Sequence, residues 1–280
     1  MTAASWLPVP GGTLFGSTEG SDEFNTPALD TSIWTFVNPL NDATLTLTGT
    51  AASIQVPGGK NHFTWTGTNS APRLMQAAAD TDFEIEAKFD SPLTKAFQTQ
   101  GLRIEQDLGN SLSAQLHYTG TTRELTYAHV VNGVIGTQEA APLPGGTPMY
   151  LRVRRTGETW AISYSTDGQQ WQQVFSTTRA MTVTAFGAFV GNFNPTSSKS
   201  PAHVGVIDYF RKTTLPSGGV TIGVPPEIEV HPAPVSVTAP AATTFTVSAT
   251  GEGPFTYQWR RNGTPVGGAT AATYTLAPTA

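Results

Sequence analysis

The sequence predicts an all-β protein: a two-sheet antiparallel β-sandwich followed by a shorter β-rich segment. Three observations predict it. Short runs alternate apolar and polar residues with a period of two, as a half-buried strand does. Turn dipeptides, among them Asn132-Gly133, Thr156-Gly157 and Asp167-Gly168, separate these runs. Charged residues make up only 12% of the 280 residues, while Gly and Pro are abundant. With Lys and Glu scarce, no amphipathic helix of about three turns can be traced.

The elements follow in chain order. FEIEAKFD (83–90) sets Phe83, Ile85, Ala87 and Phe89 against Glu84, Glu86, Lys88 and Asp90. GLRIEQD (101–107) sets Leu102, Ile104 and Gln106 against Arg103, Glu105 and Asp107. SLSAQLHY (111–118) alternates less cleanly, and the Gly-Asn pair before it reads as a hairpin turn. ELTYAHV (124–130) runs into the turn at Asn132-Gly133. YLRVRRTGETWAISYSTDGQQWQQVF (150–175) is the clearest hairpin, with Trp160, Ile162 and Tyr164 on one face. TAFGAFVGNF (184–193) and HVGVIDYFR (203–211) add two more strands. The composition then shifts at 215–234 to a Gly/Pro-rich stretch that reads as a linker. These breaks divide the chain into a sandwich over 1–214, the linker, and a further segment over 235–280. Many short strands with regular turns mean a sandwich or a barrel.

Composition also excludes functions. No cysteine is present, which removes disulfides and thiolate metal sites. The net charge is −5, and the best basic cluster is only Arg152, Arg154 and Arg155. Nucleic acid is therefore not an expected partner. No apolar run approaches the roughly 20 residues that span a bilayer, so no membrane partner is expected. MTAASWLPVPGG has no basic region followed by an apolar one, so no signal peptide is expected within the chain.

Residues 1–212 resemble the concanavalin A-like, laminin G-like β-sandwich superfamily. They are most similar to the bacterial modules that form the C-terminal sandwich of some family-43 glycoside hydrolases. The likeness is carried by SDEFNTPALDTSIWTFVNP (21–39), DFEIEAKFD (82–90), QGLRIEQD (100–107), YLRVRRTGETWAISYSTDGQQW (150–171) and VIDYFR (206–211). FTYQWRRNGTPV, with Trp259 in a strand and a turn at Asn262-Gly263, resembles the central hairpin of bacterial immunoglobulin-like domains. Such domains use about seven strands, so 235–280 is expected to be a truncated copy. The implied fold is a concanavalin A-like jelly roll with a partial immunoglobulin-like segment. The superfamily hosts binding proteins, hydrolases and lyases alike.

The resemblance also implies a structural Ca²⁺ where the first and last strands meet. Asp22, Glu23 and Asp208 would supply its carboxylates; the alternative is solvated acids at strand ends. Glu105 and Asp107 sit two apart on one strand and so share a face. Paired carboxylates are what glycoside hydrolysis needs. Related glucanases carry Glu-x-Asp-x-x-Glu there, whereas this chain reads EQDLGN, and Arg103 could simply pair with Glu105. His62, His117 and His129 are not at metal-ligand spacing.

Trp34 and Trp160 read as core, and Trp171 as locally packed. Trp65 stands among Thr, Gly, Asn and His, and is the first choice for a sugar platform; the alternative is a Trp closing the end of the sandwich. A polar concave sheet is expected from Arg73, Arg103, Glu105, Gln98, Gln100, Gln115 and His117. The full ligand-binding set is His62, Trp65, Arg73, Arg103, His117 and Tyr118. The preferred reading is a monomeric, lectin-like module of an exported, secreted or cell-surface bacterial protein that binds a polysaccharide or oligosaccharide. A glycoside hydrolase or polysaccharide lyase using Glu105 and Asp107, and a structural spacer, are the alternatives.

Overall fold

The computed structural model describes residues 6–8, 20–65, 69–215, 227–230, 232–233, 241–250, 257–261 and 264–276. It divides into two compact units, Gly16–Gly219 and a second made of Met1–Phe15 with Val220–Ala280. Most of the expected linker and the turn at 262–263 lie outside the described residues.

After β1 (Trp6–Pro8), which belongs to the second unit, the chain forms β2 (Thr35–Val37), β3 (Thr44–Leu47), β4 (Ala52–Val56), β5 (Arg73–Ala77) and β6 (Phe83–Phe89). Next come β7 (Gln98–Asp107), β8 (Asn110–Tyr118), β9 (Arg123–Val131), β10 (Val134–Pro142) and β11 (Met149–Thr156). β12 (Thr159–Ser165), β13 (Gln172–Thr178), β14 (Ala185–Asn192) and β15 (His203–Thr214) complete the larger unit. One seven-stranded sheet has the order β10-β9-β8-β7-β14-β5-β2. The other, also seven-stranded, has the order β13-β12-β11-β6-β15-β4-β3. The fold is the concanavalin A-like sandwich that the sequence predicts.

The period of two is what joins the sheets. Phe83, Ile85, Ala87 and Phe89 of β6 are buried against Leu102 and Ile104 of β7, Leu112, Ala114 and Leu116 of β8, and Phe186 of β14. Each fully buried large side chain contributes roughly 1.5–3 kcal/mol. Trp34 and Trp160 are core residues. Trp171 packs locally, under the Arg152 guanidinium at 3.6 Å. Asn132 and Gly133 both have positive φ, 49° and 80°, the type I′ geometry that an Asn-Gly hairpin between β9 and β10 needs. Asp22 bridges to Phe210, so the sandwich's first described residues lie beside its last strand, β15.

The second unit holds β16 (Glu227–Val230) paired with β18 (Ser248–Thr250), β17 (Thr243–Thr246) paired with β21 (Thr273–Leu276), and the order β1-β19-β20, where β19 is Trp259–Arg261 and β20 is Thr264–Pro265. Phe245, Val247, Trp259 and Ala269 form its small core. The Trp259 indole N–H donates to Ala271 O at 2.8 Å.

Candidate functional site

The outer face of the β10-to-β2 sheet is the polar one, and the strand register fixes its layout. Across one row lie Thr126, Gln115, Gly101, Phe189 and Arg73. The next row holds Ala128, Ser113, Arg103, Gly187 and Met75, and the third Val130, Ser111, Glu105, Ala185 and Ala77. One row in the other direction, Glu124, His117 and Thr99 are paired.

Residues 57–65 and 69–72, between β4 and β5, pack onto this face through His62, Thr64 and Asn69. His62 anchors this segment: its backbone pairs with Asn192, and its ring nitrogens face Asn192 Oδ1 at 3.0 Å and Asp42 Oδ1 at 2.9 Å. Farther on, Ser70 N–H donates to Phe63 O and Phe63 N–H to Ser70 Oγ, both at 2.9 Å, which closes the loop. The loop sets Phe63 against Phe193 at 4.7 Å between ring centroids and against Trp65 at 5.3 Å.

Between the loop and the sheet is a cleft of about 190 Å³. Phe63, Trp65, Phe97 and Phe193 form its aromatic wall; Thr99, Gln115, His117, Glu124, Thr126 and Gln138 form its polar floor. A single water needs roughly a tenth of that space or less, so the cleft admits something larger. All four aromatics are partly exposed. Phe97 has φ +73°, a conformation that a bulky residue rarely adopts and that is found at functional sites. Its backbone is held there by Phe97 N–H to Tyr118 O and Phe193 N–H to Phe97 O. His117 Nδ1 stands 3.8 Å from Glu124 Oε2. Burial pushes the His117 imidazole below its usual value, against the opposing pull of Glu124.

Beside the cleft, Arg103 is fully buried. Its Nε donates to Glu105 Oε1 at 3.0 Å and its Nη1 to Thr64 O at 2.6 Å. Arg73 Nε lies 3.3 Å from the same Glu105 oxygen, and Asn69 Nδ2 donates to it at 3.2 Å. Thr64 Oγ1 donates to Gln115 Oε1 at 3.3 Å, which joins this cluster to the cleft floor. Burial lowers the Arg103 pKa to about 10, with Glu105 opposing the shift.

The structure thus brings Trp65, Arg73, Arg103, Glu105, Gln115 and His117 onto one face. It places the remaining expected residues elsewhere. His62 is completely buried as the loop anchor. Tyr118 follows His117 and so packs toward the core, with its hydroxyl donating to Gly120 O. Gln98 and Gln100 have the parity of Leu102 and not of Arg103; they bond to Ala202 O and to Ser91 O, off the outer face. A bulge separates Glu105 from Asp107, so the period of two does not carry from one to the other. Asp107 caps the β7–β8 turn through Gly109 N–H and Asn110 Nδ2. That capping holds its carboxyl below the usual range. The two acids belong to separate networks.

Each of the acids expected to bind calcium is engaged by protein donors. Asp22 accepts Phe24 N–H and the Trp34 indole N–H, Glu23 pairs with Arg211, and Asp208 with Lys88. No group of three acidic or histidine side chains converges on one point among the described residues. Reasoning from sequence missed Phe63, Phe97, Phe193, Thr99, Glu124, Thr126 and Gln138. An isolated Phe in polar surroundings, as in AFQTQ and GNFNP, is the same signal that singles out Trp65.

Residues 21–211 match the family described as the beta xylosidase C-terminal concanavalin A-like domain. No curated protein matches the chain. Among solved structures, a functionally unknown protein from Saccharomyces cerevisiae is 15% identical with a TM-score of 0.54, covering 66% of this chain and 98% of that one. A GH43 protein from Bacillus licheniformis is 18% identical with a TM-score of 0.55, covering 70% of this chain and 39% of its own. Xylan beta-1,4-xylosidase from Bacillus halodurans C-125 is 19% identical with a TM-score of 0.55, covering 72% of this chain and 40% of its own. The chain therefore spans well under half of these two longer proteins.

Proposed function

We propose a carbohydrate-binding role on one premise: the chain belongs to the beta xylosidase C-terminal concanavalin A-like domain family. The observation that carries the proposal is the cleft, with four partly exposed aromatic rings opposite a floor of hydroxyl, amide, imidazole and carboxylate groups. Sugar rings offer C–H faces to aromatic surfaces and hydroxyls to such a floor; few other ligands need both. Trp65 is the platform, and its buried indole N–H has no hydrogen-bond partner, leaving a donor for a sugar oxygen. The module acts as a monomer within an exported protein, at the cell surface or secreted, and holds that protein on a glycan. The xylan chemistry of a structural relative makes β-1,4-xylan the first polysaccharide to try.

The test is co-sedimentation of the full chain with insoluble xylan, cellulose and mannan. At least one polysaccharide should retain the protein, and Trp65→Ala should release it by about ten-fold or more. No retention on any of them, or retention that Trp65→Ala leaves intact, would remove the cleft as a sugar site.

A further inference from the structure

Buried polar atoms nearly always have partners, so a cluster of orphans needs an explanation. On this face they cluster. Arg103 Nη2, Ser111 Oγ, Ser113 Oγ, Thr126 Oγ1, Trp65 Nε1 and Asn69 Oδ1 are all buried without a hydrogen-bond partner. The register makes them neighbours. Ser113 is directly opposite Arg103, Ser111 is opposite Glu105, and Thr126 is opposite Gln115. Directly opposite side chains start about 5 Å apart.

Charge is unbalanced in the same place. Arg73 and Arg103, 3% and 0% exposed, face one carboxylate, Glu105. One positive charge is left over in a buried setting, where an uncompensated charge is costly. Glu124, the cleft's own acid, sits at the opposite end of the floor with His117 and does not reach this row. An acceptor with negative charge, set against the guanidinium edge and the two serine hydroxyls, would satisfy both the charge and the orphaned donors.

We propose that this cluster receives the carboxylate of an acidic sugar, a uronate, carried by the glycan in the adjoining cleft. The inference rests on the carbohydrate reading above and names its substrate class. Arg103 Nη2 donates to the carboxylate, a charge-assisted bond that a neutral sugar cannot replace. The Ser113 and Ser111 hydroxyls donate to its second oxygen, and the polysaccharide backbone lies along the aromatic wall. Free anions share the carboxylate's chemistry but lack contact with that wall.

Calorimetric titration of the full chain tests this. The probes are a glucuronate-branched xylo-oligosaccharide and an oligogalacturonide, each against its methyl ester, with unbranched xylo-oligosaccharide, acetate and inorganic phosphate alongside. At least one acid form should bind about ten-fold or more tightly than its ester, and more tightly than either free anion. Ser113→Ala should reduce that preference without loss of folding, and Arg103→Met should abolish it; Arg103→Lys, which keeps the charge without the planar fork, should retain part of it. Equal affinity for acid and ester would overturn the inference while leaving the neutral-glycan reading intact, and would assign the orphaned atoms to ordered water. Acetate or phosphate binding as tightly as the acid oligosaccharide would also overturn it. No binding of any saccharide would overturn both.

Discussion

Replacing Glu105 with Gln removes the one carboxylate that faces two buried guanidinium groups. Its Oε1 lies 3.0 Å from Arg103 Nε and 3.3 Å from Arg73 Nε, and accepts Asn69 Nδ2 at 3.2 Å. Removing one partner of a buried pair costs about 3–5 kcal/mol, because the other is left charged and unpaired. Glu105 keeps 9% of its surface exposed, and an amide still offers an acceptor, so about 3 kcal/mol is the appropriate end of that range. In a sandwich of roughly 200 residues, each kcal/mol moves the melting temperature by about 2–4 °C, giving a fall of about 6–12 °C. The assay is calorimetric melting of the full chain with circular dichroism to identify the sandwich transition. Adding Arg103→Met should recover part of the loss, because it removes the charge that Glu105 offsets; the double-mutant cycle measures that coupling. A fall smaller than about 2 °C, or strictly additive losses, would refute the assignment of Glu105 as the counter-charge.

Acid sensitivity should come from two buried histidines. Burial lowers His129 and His203 to about 4, from an ordinary histidine value of about 6.5. Between those values the unfolded chain binds protons that the folded chain does not, so stability falls as pH drops from 6.5 to 4. The loss is on the order of 2–3 kcal/mol per histidine, and melting temperatures of His129→Gln and His203→Gln should decline less over that range than those of the parent. Asp107→Ala should loosen the β7–β8 turn yet leave saccharide affinity within about two-fold, measured by calorimetry. A chelator should leave the melting temperature unchanged, since the carboxylates of Asp22, Glu23 and Asp208 are each engaged by protein donors.

The fold was legible because its signal is local. Alternation in FEIEAKFD and the glycines at the turns state strand and face directly, and β6 and the β11–β12 hairpin form where those patterns put them. Half of the site was legible for the same reason: the parity that buries Leu102 and Ile104 sends Arg103 and Glu105 to the outer face. What stayed hidden depends on register and on a loop. Nothing local to Phe193 says that it stacks on Phe63, 130 positions earlier. Nothing local to His62 says that Asn192 and Asp42 flank its ring. The Glu105/Asp107 pairing failed at a bulge, which period-two reasoning cannot see. Gln98 and Gln100 could have been placed by parity alone, since they count evenly to Leu102.

The central claim is that the aromatic-walled cleft is where a sugar sits, and tryptophan fluorescence reads it directly. Trp65 lines the cleft, while Trp34, Trp160 and Trp259 are fully buried and Trp171 lies under Arg152 on the other sheet, so Trp65 is the indole that a ligand in the cleft would touch. Titration with xylo-oligosaccharide and its glucuronate-branched form should give a saturable emission change that disappears in Trp65→Phe. A saturable change that persists in Trp65→Phe would move the site elsewhere, and no change with any saccharide would contradict the carbohydrate reading itself.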